Sequence, residues 1–214
     1  MKDKKIYILS DTDIKGSEKL PVIKQNFFDV DIDFKEYDYL IFTSKNGVKA
    51  AAKISDDWKK IPALAIGKAT AEIIENLGGK SVYVAKKFYG DKFAKEILEK
   101  FDKNSRFLYL RGKVVLSKLS EILRKNGFKV DEKIVYETVC IDCKNLKRPE
   151  KGSFIIFSSP STIECFLKCF TLDKSYKIVA IGEKTAKYIP KNIKYTVSPV
   201  QTLQGTVDWL SKIH

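Results

Sequence analysis

The chain has 214 residues, enough for one domain or two small ones, and its 44% apolar and 31% charged content is that of a soluble globular fold. No run approaches the ~20 apolar residues that span a bilayer, and the run Ile6 to Leu9 behind Met1-Lys2-Asp3-Lys4-Lys5 is too short for a signal-peptide core, so a cytoplasmic protein is expected. The 40 Lys and Arg against 27 Asp and Glu give +13, which favours anionic partners, yet they are scattered without a basic run or a basic–aromatic pattern, so neither nucleic acid nor membrane is expected as a partner.

In chain order, short continuous apolar runs predict strands at Ile6–Leu9, Leu40–Thr43, Ala63–Ile66, Ser81–Val84, Phe107–Leu110, Phe154–Phe157, Ile178–Ile181 and Tyr195–Val197. Such runs suit strands covered on both faces. Helical stripes alternate with them. Ala69–Leu77 ends at Gly78-Gly79; Asp91–Phe101 has Asp91 as its N-cap; Ser117–Asn126 buries Leu116, Leu119, Ile122 and Leu123 and stops at Gly127. Ile163–Leu167 looks like part of a packed helix, and the last helix spans about Leu203–Ile213. The alternation predicts an α/β fold with parallel sheets. Thr12 to Asn26, charged and interrupted by Pro21, leaves little room for a helix. Phe28–Phe34 and Lys133–Val139 break the rhythm: both alternate apolar and polar residues, which predicts two half-exposed strands able to pair with each other.

The middle of the chain repeats in its last third. Leu40-Ile41-Phe42-Thr43-Ser44-Lys45-Asn46-Gly47-Val48 matches Ile155-Ile156-Phe157-Ser158-Ser159-Pro160-Ser161-Thr162-Ile163, and Ala65-Ile66-Gly67-Lys68-Ala69-Thr70-Ala71 matches Ala180-Ile181-Gly182-Glu183-Lys184-Thr185-Ala186, both displaced by 115 residues. Gly90 and Gly205 share that displacement. Each copy ends a strand in small polar residues and starts a helix.

In parallel α/β sheets ligands bind beyond the carboxyl ends of the strands. The loops there are Ser10–Thr12, Thr43–Gly47, Gly67–Thr70, Arg111–Lys113, Ser158–Ser161 and Gly182–Thr185. Nearly all are small, hydroxylated or glycine, which suits approach of an anion to backbone N–H groups at helix starts. Any one such loop is more often a cap than a ligand site. Their paired occurrence favours binding, and pairs Thr70 with Thr185. Neither the G-x-x-x-x-G-K-[ST] nor the G-x-G-x-x-G phosphate motif occurs.

His214 is the sole histidine, so Ser-His and Cys-His mechanisms are disfavoured. Cys140, Cys143, Cys165 and Cys169 have a C-x-x-C and C-x-x-x-C spacing that can hold zinc, but Cys165 and Cys169 fall in an apolar helix-like stretch. They read as small core residues, with disulfides disfavoured in a cytosolic chain. Tyr136, on the second alternating strand, is a candidate proton donor, although residue type alone does not single it out.

Six motifs stand in order: Phe42-Thr43-Ser44-x-Asn46-Gly47-Val48, Ile66-Gly67-x-Ala69-Thr70-Ala71, Leu110-Arg111-Gly112, Val135-Tyr136-x-Thr138, Phe157-Ser158-Ser159-Pro160-Ser161 and Ile181-Gly182-x-x-Thr185-Ala186. Together they resemble the uroporphyrinogen-III synthase family from Leu40 to the C-terminus. The resemblance implies two flavodoxin-like βα lobes joined by a two-stranded linker, with lobe one from residues 1–30 and 140–214, lobe two from 36–132, and linker strands at 31–35 and 133–139. The repeat alone suggests a contiguous split near residue 102, set aside on the resemblance. The resemblance further implies a monomeric hydro-lyase, without metal or cofactor, that cyclises the linear tetrapyrrole hydroxymethylbilane, a polycarboxylate, with inversion of ring D. Tyr136 matches the family's proposed acid. Thr43, Ser44, Asn46, Gly47, Gly67, Thr70, Ala71, Arg111, Gly112, Ser158, Ser159, Pro160, Ser161, Gly182, Thr185 and Ala186 match its substrate-binding loops. The first strand departs from the family's Thr-Arg, leading instead into Ser10-Asp11. The rival reading is a non-catalytic two-lobed protein that binds a small polyanion.

Overall fold

A computed structural model describes residues 4–86 and 89–213; Met1–Asp3, residues 87–88 and the lone histidine, His214, lie outside the described residues. The strands are β1 (Ile6–Ile8), β2 (Glu18–Lys19), β3 (Ile23–Phe27), β4 (Tyr39–Phe42), β5 (Ala63–Ala65), β6 (Ser81–Val84), β7 (Arg106–Gly112), β8 (Lys129–Cys140), β9 (Phe154–Phe157), β10 (Lys177–Ala180) and β11 (Tyr195–Val197). The helices are α1 (Lys45–Ile54), α2 (Lys68–Asn76), α3 (Gly90–Lys100), α4 (Leu119–Lys125), α5 (Pro160–Cys169), α6 (Glu183–Ala186) and α7 (Leu203–Ile213). No helix among the described residues is long and apolar enough to cross a membrane.

The chain divides into two units: Met1–Lys24 with Thr138–His214, and Gln25–Glu137. Unit 1 holds a parallel sheet in the order β2-β1-β9-β10-β11. Numbered within the unit this is 2-1-3-4-5, the flavodoxin-like order. Unit 2 holds β6-β5-β4-β7-β8, all parallel, with β3 at the edge beside β8. That is 3-2-1-4-5, the order of the other doubly wound class. Strands β3 and β8 run antiparallel, since Ile141 N–H donates to Val22 O and Phe28 N–H to Val135 O. The chain crosses between the units within these two strands.

Strand alternation explains the continuous apolar runs. In unit 1, Tyr7, Ile155, Phe157 and Ile178 join one core layer, with Phe166 of α5, while Ile6, Ile8, Phe154, Ile156 and Val179 join the other, with Val207 and Leu210 of α7. In unit 2, Leu40, Phe42, Leu108 and Leu110 face Trp58 and α1, while Ile41, Leu64, Phe107 and Tyr109 face α3 and α4. Successive residues point to opposite faces, so both neighbours must be apolar. Each large side chain so buried contributes roughly 1.5–3 kcal/mol.

Several expectations change. The strand expected over Phe28–Phe34 is absent. Its pairing role falls to β3, and Phe34 starts a 3-10 turn capped by Asp33, whose carboxylate accepts from Lys35 N–H. The linker strand expected at residues 31–35 is therefore displaced toward the N-terminus. Asp91 does not cap its own helix: its carboxylate accepts the Lys118 N–H at 2.8 Å and so tethers the start of α4. Leu116 is 53% exposed because α4 begins only at Leu119.

The cysteines are neither lone core residues nor a zinc site. Cys140 pairs with Cys165 and Cys143 with Cys169 as disulfides, at Cα separations of 5.1 and 5.2 Å. Cys165 and Cys169 lie one helical turn apart on α5, and the C-x-x-C segment leaving β8 runs alongside that face. Among the described residues no group of His, Cys, Asp or Glu is placed to hold a metal ion.

Candidate functional site

In unit 2 the strand order reverses between β4 and β7, which opens a crevice at their carboxyl ends. Thr43 and Ser44 leave β4 there. Ser44 is the N-cap of α1, its hydroxyl accepting Asn46 N–H at 3.1 Å. Gly47, in the first turn of α1, lets the helix approach β7: a Cβ there would sit 2.8 Å from Leu110 O. Thr43 Oγ1 lies 2.7 Å from the hydroxyl of Tyr109, a β7 residue that is 1% exposed.

Tyr136 comes from β8. Its hydroxyl lies near the Ser44 side chain, and its ring lies on Gly112, where a Cβ would be 2.8 Å from the ring Cζ. Burial pushes the Tyr136 phenol above its usual value of 10.0, and the nearby Ser44 side chain opposes this only in part. Burial raises Tyr109 likewise, with Thr43 opposing. Both phenols therefore stay protonated well above neutral pH.

Arg111 is occupied. Its Nη1 donates to the carbonyls of Gly112 at 3.0 Å and Lys113 at 3.3 Å, and its Nη2 lies 3.3 Å from Glu132 Oε2. Glu132 Oε1 in turn accepts a hydrogen bond from Ser120 Oγ. On the neighbouring strand β5, Gly67 precedes α2 in extended backbone, and Thr70 and Ala71 donate their N–H groups to its carbonyl. Thr70 and Ala71 are themselves buried.

Unit 1 repeats the pattern. Ser159 caps α5 with a full capping box: its hydroxyl accepts Thr162 N–H while Thr162 Oγ1 accepts Ser159 N–H. Pro160 opens the helix, where its missing N–H costs nothing, and Ser158 and Ser161 flank the turn half-buried. Gly182 precedes α6 as Gly67 precedes α2, and Thr185 and Ala186 donate to its carbonyl and are buried. Ala71, Ala186, Thr70 and Thr185 are thus packing and backbone groups. In the loop after β1, Asp11 and Asp13 pair with Lys19 at 3.2 and 2.9 Å.

Thr43, Ser44, Asn46, Gly47, Arg111, Gly112 and Tyr136 converge at one end of the unit 2 sheet; the serine turn and the Gly182 turn share the matching end of unit 1. Tyr109, Glu132 and Ser120 escaped the sequence reading, because a tyrosine inside Phe107–Leu110 looks like core and a Ser–Glu bond has no local signature. A cavity of about 380 Å³ in unit 1 lies elsewhere, beside Phe154, Lys177 and Tyr195, which open β9, β10 and β11 at their amino ends.

The family model for uroporphyrinogen-III synthase HemD matches residues 18–208. The chain belongs to that family. It is 28% identical over 202 residues to the porphyrin biosynthesis protein HemD of Ruminiclostridium josui, covering 85% of this chain but only 39% of that longer protein. It is 27% identical over 199 residues to a putative uroporphyrinogen-III synthase of Methanocaldococcus jannaschii, covering 84% of this chain and 81% of the relative. In fold, this HemD-family chain is similar to the crystal structure of uroporphyrinogen-III synthetase from Helicobacter pylori, with a TM-score of 0.81, 24% identity and coverage of 99% and 100% of the two chains. A mutant uroporphyrinogen III synthase from Thermus thermophilus matches with a TM-score of 0.52 and 17% identity over 92% of this chain and 88% of its own.

Proposed function

We propose that this protein is a uroporphyrinogen-III synthase. It closes hydroxymethylbilane into uroporphyrinogen III, inverting ring D and releasing water, in haem biosynthesis. By reaction class it is a hydro-lyase. It works as a monomer without metal or cofactor, and neither nucleic acid nor membrane is its partner. Family membership supports the activity. The observation that carries the chemistry is Tyr136, a half-buried, protonated phenol beside Ser44 and Gly112.

The first step needs a proton. The terminal carbon–oxygen bond breaks as the pyrrole nitrogen's electron pair pushes in, and the hydroxyl takes the Tyr136 proton and leaves as water. A cationic azafulvene remains. Ring D attacks it at its substituted carbon, and the resulting spiro intermediate fragments and recloses with ring D turned round. The phenolate recovers its proton as the last ring carbon loses one, so the balance is one water lost. A general acid contributes about 10²–10⁴-fold. Holding the chain so that direct closure loses is the remaining task. The substrate's carboxylates suit a chain of net charge +13. They also suit the starts of α1 and α5, where a carboxylate gains roughly 0.3–1 kcal/mol.

The test supplies enzymatically generated hydroxymethylbilane and separates the product isomers. Type III product is expected. Type I alone, as in the uncatalysed closure, overturns the proposal; if the protein then still retains the bilane on gel filtration, the non-catalytic polyanion-binding reading takes its place.

A further inference from the structure

We infer that Arg111 is a positioning residue for Tyr136, acting through the end of β7 that faces the bulge in β8, and not a cation that grips substrate. This rests on the reading of Tyr136 as the acid.

The argument starts from register. Along β7 and β8, Arg111 is opposite Ile134, but Gly112 is opposite Tyr136, so β8 carries one extra residue at that step. Such a bulge bends the strand and re-aims a side chain. Here it swings the Tyr136 ring over Gly112. The contact is intimate: a Cβ on Gly112 would be 2.8 Å from Cζ and 3.1 Å from the hydroxyl oxygen. The Gly112 backbone thus sets where the phenol oxygen sits. Beyond the bulge, Lys113 N–H donates to Tyr136 O at 2.8 Å, closing the pair of strands again.

Arg111 holds that backbone. One of its terminal nitrogens binds the two consecutive carbonyls of Gly112 and Lys113. The other meets Glu132, which Ser120 of α4 fixes from behind. The guanidinium is therefore strapped between its own strand tip and a carboxylate of β8. Its side chain is 17% exposed and that of Glu132 is 20% exposed. Nε is buried without a partner, as if the side chain were fixed by its two ends at the expense of its middle. A cation already committed to one carboxylate and two carbonyls has little left for a substrate carboxylate. A fixed tip is what a phenol lying on Gly112 requires, because displacements of about 1 Å at a reacting group cost on the order of 10²-fold.

The experiment compares Arg111→Lys, Arg111→Gln, Glu132→Gln and the double Arg111→Gln/Glu132→Gln variant with the parent chain, using hydroxymethylbilane. Arg111→Gln and Glu132→Gln are each expected to lower kcat at least tenfold with KM changed less than twofold. The double variant is expected to be no worse than the poorer single, since one strap is cut twice. Arg111→Lys recovers part of kcat. A tenfold rise in KM for Arg111→Gln with kcat retained, together with parental behaviour of Glu132→Gln, overturns the inference and returns Arg111 to the substrate. A second readout needs no turnover. With ring-labelled tyrosine, the Tyr136 NMR signal, assigned by its loss in Tyr136→Phe, is titrated at high pH. Its midpoint is expected to fall toward the free-phenol value in Glu132→Gln as water reaches the ring, while the Tyr83 signal holds. An unmoved Tyr136 midpoint in every folded variant also overturns the inference. A parent chain that makes only type I product defeats the function proposal instead, and the titration still decides whether the strap holds Tyr136.

Discussion

Tyr136 has the surroundings that the proposed acid needs: a glycine beneath the ring, a serine near the hydroxyl, and enough covering atoms to push the phenol's titration up. Removing only the hydroxyl, in Tyr136→Phe, is expected to lower turnover by about 10²-fold or more. The same change should cost at most about 1 kcal/mol of stability, no more than a typical side-chain hydrogen bond is worth. Initial rates on hydroxymethylbilane beside a thermal melt check both. Because the acid must be protonated, parent activity should fall as pH rises through a value above 10.0, and never through the neutral range on account of this group. Tyr136 was visible in the sequence through its alternating strand and the Val-Tyr-x-Thr motif. Arg111 was visible as a residue but its partner Glu132 was not, since Glu132 lies on another strand and only the pairing of β7 with β8 sets the two diagonally across from each other. Tyr109 was invisible, because a phenol bound to Thr43 and a phenol in bulk core leave the same trace in an apolar run.

At the level of elements, the strands were legible because burial on both faces forces continuous apolar runs, and the helix stops because Gly78 and Gly127 take positive φ of 86° and 85°. The segment Phe28–Phe34 misled for a physical reason. Its Asp29, Asp31 and Asp33 alternate with apolar residues as an exposed strand would, yet Asp33 uses its carboxylate to cap a turn. The matched turns ahead of α1 and α5 are built by the same device, a serine N-cap after an apolar strand, but only Ser159 has the reciprocal partner Thr162. Ser159→Ala should therefore cost about 1 kcal/mol, lowering Tm by about 2–4 °C in a chain of this size. Differential scanning calorimetry reads the shift.

For the whole molecule, two features bear on stability. The two disulfides, with sequence separations of 25 and 26, close loops that overlap over most of their length, so their effects do not add. Reduction should expose four thiols to a colorimetric reagent and cost about 3 kcal/mol, read as a lower denaturation midpoint. Tyr7, Tyr37, Tyr109, Tyr136 and Tyr176 are all raised above 10.0 by burial, and Tyr83 is pushed up to about 12 by burial and its bond to Glu96. Their folded values exceed the unfolded one, so this contribution is complete below pH 10 and is lost as pH rises toward the folded values. Melts across pH 8–12 should show Tm falling steeply only beyond about pH 10.

The strand order of unit 1 also sets a timetable. Strands β1 and β2 leave the ribosome well before the strand that pairs with β1 on its other side, β9, which is made only after all of Gln25–Glu137. A nascent chain paused near Glu137 already holds the second sheet except for the last residues of β8, and no cysteine of either disulfide. Strand β1 must therefore wait, unpaired on one side, until all of Gln25–Glu137 has been made, and whatever shields apolar β1 in that interval is part of how the molecule is assembled.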